Sequence, residues 1–168
     1  METVEKTIEV AAPLTQVYNQ WTLFEQFPEF MEGVEEVQQL DNGQLHWVAE
    51  IAGRKKEWNA EIIEQVPEQR IAWRSTSGVT NAGVVCFRPR DHEHTLVTLQ
   101  LDFEPEGALE RAGDFAGALS RRIEGDLKRF RDFIQQRATE PDVWHGEIRG
   151  GKIRPARNYG STGKSGLL

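Results

Sequence analysis

The sequence predicts an α+β domain: a curved antiparallel sheet of seven strands, two short helices after the first strand, and a long C-terminal helix lying over the sheet. Three observations predict it. Val4 to Val10 and six segments between Val34 and Phe103 alternate apolar and polar residues with the period of a half-buried strand. After Pro105 the period changes to that of an amphipathic helix. The chain has 168 residues, 38% hydrophobic and 28% charged, which suits one core with an appendage and excludes two packed domains or whole-chain disorder.

The first strand places Val4, Ile8 and Val10 on one face and Glu5, Thr7 and Glu9 on the other. Pro13 suits the start of a helix, and Val17, Tyr18 and Trp21 follow at helical spacing. Phe24, Phe27, Phe30 and Met31 extend an apolar stripe that Pro28 interrupts, so a second short helix is expected. The six further strands are expected at Val34 to Leu40, Gln44 to Ile51, Lys55 to Gln65, Arg70 to Thr76, Gly83 to Pro89 and Thr95 to Phe103. Asp41-Asn42-Gly43, Gly53, Pro67-Glu68, Ser77-Gly78 and Asp91-His92 mark the reversals between them. Leu45, Trp47, Ala49 and Ile51 share one face, as do Trp58, Ala60 and Ile62, Ile71 and Trp73, Val85 and Phe87, and Val97, Leu99, Leu101 and Phe103. Glu50, Glu57, Glu61, Arg74, Arg88, Thr98, Gln100 and Asp102 fall on the opposite, wet face. One long helix should then carry Leu109, Ala112, Ala116, Leu119, Ile123, Leu127, Phe130 and Ile134 on its stripe, with Glu124 and Lys128, and Arg122 and Asp126, spaced for pairing on its outer side.

The domain is expected to span residues 1–138. Residues 139–168 form a Gly-rich tail with five bases and three acids, a net of +2, which leaves 15 bases and 24 acids, a net of -9, in the domain. With no apolar period, the tail is expected to be mobile or held only where Val143, Trp144 and Ile148 dock. Its Arg149, Lys152, Arg154 and Arg157 suit peripheral contact with an anionic membrane, an acidic partner, or the acidic domain itself, and equally a solubilising extension. The overall charge of -7 argues against nucleic acid as a partner. No apolar run has the length of a membrane span, and the acidic, alternating N-terminus lacks the layout of a signal peptide. With the single cysteine, Cys86, this points to the cytoplasm.

Several segments resemble a known family. Pro13 to Gly33, with Val17-Tyr18, Trp21, Phe24 and Phe27-Pro28-Glu29-Phe30-Met31, is similar to the first helices of bacterial cyclase/dehydrase proteins. So are Lys56-Glu57-Trp58, Ile71-Ala72-Trp73-Arg74, Gly83-Val84-Val85 and the run from Val97 to Pro105. The element order resembles the helix-grip fold of the START, polyketide cyclase and birch-pollen-allergen superfamily, which includes coenzyme Q-binding START-like proteins. The resemblance spans residues 3 to about 137. It implies a cavity between the curved sheet and the long helix that holds a hydrophobic small molecule such as a polyketide, quinone or lipid.

The residues add their own hint, because Trp47, Trp58 and Trp73 occupy the inward phase of three successive strands. Gly113 and Gly117, each costing about 1 kcal/mol of helix propensity, suggest either space left for a ligand or a close backbone contact. A filled core explains the same residues without one. The expected ligand-binding set is Trp47, Trp58, Trp73, Phe87, Leu99 and Phe103 on the sheet and Phe115 and Leu119 on the helix, with Phe27 and Met31 near an entrance.

Catalytic and cofactor motifs do not stand out. Tyr18 is the only tyrosine of the domain, His46 lies on the outward phase, and Arg74 is expected to pair with an acid such as Glu61. His92 and His94 have a spacing that can ligate metal but sit at an expected hairpin tip. Gly160 to Ser165 superficially suggests a phosphate loop, yet Asn158 replaces its first glycine and only three residues follow Ser165. No cofactor is therefore expected. The leading expectation is binding or transport of a hydrophobic ligand without catalysis. The alternative is a polyketide cyclase or dehydratase using the same cavity.

Overall fold

The computed structural model describes residues 1–137, 144 and 146–154. Strands β1 (Glu2–Val10), β2 (Val34–Gln39), β3 (Gln44–Ile51), β4 (Arg54–Val66), β5 (Arg70–Gly78), β6 (Asn81–Asp91) and β7 (His94–Phe103) form one antiparallel sheet in the order β1-β7-β6-β5-β4-β3-β2. Each element anticipated from the alternation is present. The six later strands make a meander, and β1 closes on the last of them, with Ile8 opposite Val97 and Val4 opposite Leu101. Turn chemistry is as the composition indicates: Gly43, Gly53 and Gly78 all take positive φ.

Curvature comes from bulges. The register shifts between Val34 and Glu36 in β2, between Pro89 and Asp91 in β6, and twice in β4, between Asn59 and Ala60 and between Ile62 and Glu64. Each extra residue bends its strand and adds twist. The bends wrap the apolar face inward around the helices. Charges remain on the convex face, where Arg74 meets Glu61 at 3.5 Å and Thr3 donates to Asp102 at 2.6 Å.

Helix α1 (Leu14–Trp21) and a 3-10 turn (Phe24–Glu29) follow β1 and supply Val17, Tyr18, Trp21, Phe24 and Phe27 to the core. The expected single C-terminal helix is in fact two, α2 (Gly107–Ala112) and α3 (Phe115–Gln135). The break falls at Gly113 and Asp114, so Gly113 sits at a helix boundary where its flexibility is no handicap. Gly117 faces the carboxyl of Asp114, which stands 2.1 Å from where a Cβ would be. The space beside Gly117 is therefore taken by Asp114. Leu119, Ile123, Leu127, Phe130 and Ile134 form the buried stripe of α3 as its period predicts. The end of α3 is tied to the end of β1 by Gln135, whose Oε1 accepts from the Ala11 N–H at 2.8 Å. The pairing expected of Arg122 with Asp126 along the helix gives way to contacts across it, described below.

Part of the tail adds to the sheet. Strands β8 (Glu147–Arg149) and β9 (Lys152–Arg154) form a hairpin through Gly150 and Gly151, both at positive φ. Strand β8 pairs with β4 at Glu64 and Gln65, beyond Glu61, where the pairing with the start of β3 stops. Ile148 docks in the core, while Trp144 is half exposed. Val143 and Arg157 lie outside the described residues. Among the described residues no helix is long and apolar enough to cross a membrane.

Candidate functional site

Between the concave face of the sheet and α3 lies a cavity of about 160 Å³. It is comparable to an engineered apolar cavity of ~150 Å³ that binds benzene. Strands β3, β4, β5 and β7 contribute Trp47, Trp58, Trp73, Leu99 and Phe103, α3 contributes Phe115 and Leu119, and the segment after α1 contributes Phe27 and Met31. Nine of the ten anticipated side chains thus line the cavity, the five on strands by the inward phase read from the alternation. Phe87 is the exception. Its ring packs against Tyr18 at 5.5 Å and Trp21 at 6.1 Å. Helix α1 covers that stretch of β6, so the concave face there is filled by protein.

The aromatic wall has an ordered geometry. Trp47 and Trp58 are register partners, and their rings are nearly parallel, 5.5 Å apart at 9°. Phe27 sits 5.6 Å from the Trp47 ring. Trp73 lies over Gly83 of the neighbouring strand, so closely that a Cβ there would be 2.3 Å from its ring. Its Nε1 donates to Asn81 Oδ1 at 3.3 Å.

Polar groups that the alternation did not single out enter the wall from two sides. Lys56 shares the inward phase with Trp58, Ala60 and Ile62 and is 7% exposed. Its Nζ donates to Glu106 Oε1 and Glu110 Oε2, both at 2.5 Å, and stands 5.6 Å from the centre of the Phe115 ring. Glu110 also accepts from the Glu106 N–H at 2.8 Å and faces Arg54 at 3.6 Å. Burial pulls the Lys56 ammonium down, but the hydrogen bonds and charges of Glu106 and Glu110 more than offset it and hold its pKa above the ordinary lysine value. Burial likewise pushes the Glu110 carboxyl up, and Lys56, the Glu106 N–H and Arg54 together bring it below the ordinary range. The pair is ionised, and it pins α2 to β4.

On the other side Arg122, Asp126 and Arg129, about one turn apart on α3, hold the segment Phe30–Gly33. Arg122 Nη1 donates to the carbonyls of Glu32 at 2.6 Å and Glu50 at 2.9 Å. Asp126 Oδ1 accepts from the Glu32 N–H at 2.9 Å and from Arg129, whose Nε donates to the Phe30 carbonyl at 2.9 Å. Gly33 makes this approach achievable, since it has φ +84° and a Cβ would stand 2.4 Å from the Glu50 carbonyl. Burial pushes the Asp126 carboxyl up to about 6 despite Arg129, the Glu32 N–H and Arg122. Glu32, Arg122 and Asp126 all reach the cavity lining.

The remaining candidates lie elsewhere. Tyr18 is fully buried beneath the sheet, accepts from Gln65 Nε2 at 3.3 Å, and burial pushes its phenol up to about 12. His46 is on the convex face against Asn59 at 2.6 Å and Glu57 at 3.3 Å. His94 pairs with Asp91 at 2.8 Å, and among the described residues no three potential ligands converge on a metal position.

Residues 10–131 match the family described as polyketide cyclase/dehydrase and lipid transport. An uncharacterized 17.2 kDa protein of Streptomyces lincolnensis is 46% identical over 149 residues, covering 88% of this chain and 99% of that protein. A crystal structure from Deinococcus radiodurans, 28% identical, superposes with a TM-score of 0.62 over 78% of this chain and 95% of that one. The Zhui aromatase/cyclase of a Streptomyces species, 20% identical, has the same fold, with a TM-score of 0.68 over 81% of this chain and 94% of that one.

Proposed function

The chain belongs to the polyketide cyclase/dehydrase and lipid transport family, and from that premise we propose that it binds and carries a hydrophobic small molecule in the cavity between the sheet and α3. The supporting observation is the wall itself, in which Trp47, Trp58, Trp73, Leu99, Phe103, Phe115 and Leu119 face one another across an otherwise unfilled space. A polyketide, quinone or lipid would gain about 25 cal/mol for each Å² of apolar surface removed from water. Phe27 and Met31 complete the binding set. The test is solvent extraction and mass spectrometry of the purified protein, with a binding panel of quinones, polyketide-like aromatics and fatty acids. Trp58→Ala should weaken binding far more than Glu57→Ala on the convex face. A protein with no co-purifying molecule and no response to the panel would end this proposal.

A second reading, cyclisation or dehydration of such a ligand, is favoured by one observation. Asp126 reaches the cavity lining, and its carboxyl, pushed up to about 6, is suited to exchanging a proton near neutral pH. Under this reading Asp126→Asn abolishes turnover while leaving ligand binding intact. Under the carrier reading no turnover exists to abolish.

A further inference from the structure

Among the described residues, two buried indole N–H donors belong to tryptophans that line the cavity and have no acceptor. Trp47 and Trp58 stand side by side on β3 and β4 and both line the cavity. Among the described residues, the Nε1 of each is buried and has no acceptor. They cannot serve one another. An indole N–H lies in the plane of its ring, and with the rings 9° from parallel it runs alongside the neighbour's face instead of into it. The third tryptophan of the wall shows the contrast, since Trp73 donates to Asn81. Folded proteins pair the great majority of their buried donors, because an unmade bond leaves the cost of desolvation uncompensated. Two adjacent exceptions on one cavity wall point to an acceptor that arrives with the ligand.

Charge and size narrow what carries it. Glu32, Glu104, Glu110 and Asp126 reach the lining, while the cations there are committed, Lys56 to two carboxylates and Arg122 to two carbonyls. An anionic head group would meet acids and no uncommitted cation among the described lining residues. The volume of about 160 Å³ suits a compact ring system. Resting on the proposal that this cavity binds a hydrophobic ligand, we infer that Trp47 and Trp58 determine specificity by donating to an oxygen of a neutral ring compound. A carbonyl oxygen, with two lone pairs and no proton, is an acceptor of this kind.

The experiment compares alpha-tetralone with tetralin, the same two fused rings with and without a carbonyl, titrated into the full chain and followed by proton–nitrogen correlation spectra of the tryptophan indoles. Tetralone should bind about tenfold more tightly, because a site built around hydrogen-bond donors rejects the analogue that cannot accept from them. It should also move the Trp47 and Trp58 indole resonances downfield. Trp47→Phe and Trp58→Phe keep aromatic surface and remove the donors, so they should erase the preference while tetralin still binds. Equal affinity of the two compounds for the unaltered protein, or a preference that survives both substitutions, overturns the inference and leaves the cavity a binding site. If neither compound disturbs any indole resonance, this inference fails, while the carrier proposal stands or falls on the extraction and the binding panel.

Discussion

Substituting Lys56 by methionine tests whether the polar corner of the cavity is held by a buried ion pair. Glu110 is 6% exposed, so removing the ammonium leaves a carboxylate with only the Glu106 N–H and Arg54, 3.6 Å away, to stabilise it. Breaking a buried pair from one side costs about 3–5 kcal/mol, and those two remaining partners place Lys56→Met near the lower end, at about 3 kcal/mol. The sign with pH follows. In the native protein the Glu110 pKa lies below its ordinary value, so Glu110 contributes stability above the unfolded pKa that is lost as pH falls. Without Lys56, burial dominates and raises that pKa, so the folded variant takes up a proton on mild acidification. Its deficit against the native protein should therefore shrink as pH falls. Urea denaturation followed by circular dichroism at neutral and mildly acid pH measures both effects. Lys56→Met combined with Glu110→Leu removes both charges and should recover most of the loss. A single variant within about 1 kcal/mol of the native protein at neutral pH, or a double variant as unstable as the single one, would refute the reasoning.

Asp126 has the opposite dependence: its folded pKa, about 6, lies above the reference of 3.8, so stability should decline by about 3 kcal/mol as pH rises through that interval. Asp126→Asn should flatten this slope in the same denaturation series, and an unchanged slope would show that another group titrates. Gly83→Ala places a methyl 2.3 Å from the Trp73 ring, where ordinary contact begins at 3.4 Å. The ring must move about 1 Å and strain its bond to Asn81, a loss of about 1–3 kcal/mol typical of overpacking. The urea midpoint and the Trp73 indole resonance should both shift, and constancy of both would mean that the strand absorbs the methyl.

Alternation made the sheet legible. The phase of Trp47, Trp58 and Trp73 is a property of each strand alone, and it put all three on the cavity wall. The same phase also contains Lys56, and nothing in the alternation marks a charged residue there as buried until its partners are known. Those partners, Glu106 and Glu110, lie some fifty residues away. The β8–β9 hairpin carried a signal as well, two isoleucines flanking Gly150-Gly151, but three-residue strands are too short for a period to emerge.

What the sequence by itself determined is therefore the seven strands of the main sheet and the buried stripe of the long helix, the side of each that faces inward, and the acidic character of the domain, all consequences of short-range pattern and composition. Only the tertiary structure decided which part of the inward face is covered by α1, as at Phe87, and which part is left open to α3 and the cavity. It alone decided that, among the described residues, the indole of Trp73 has an acceptor while those of Trp47 and Trp58 have none. Side-chain phase is set by the backbone within a strand, whereas burial and hydrogen-bond satisfaction depend on groups that the fold gathers from distant parts of the chain.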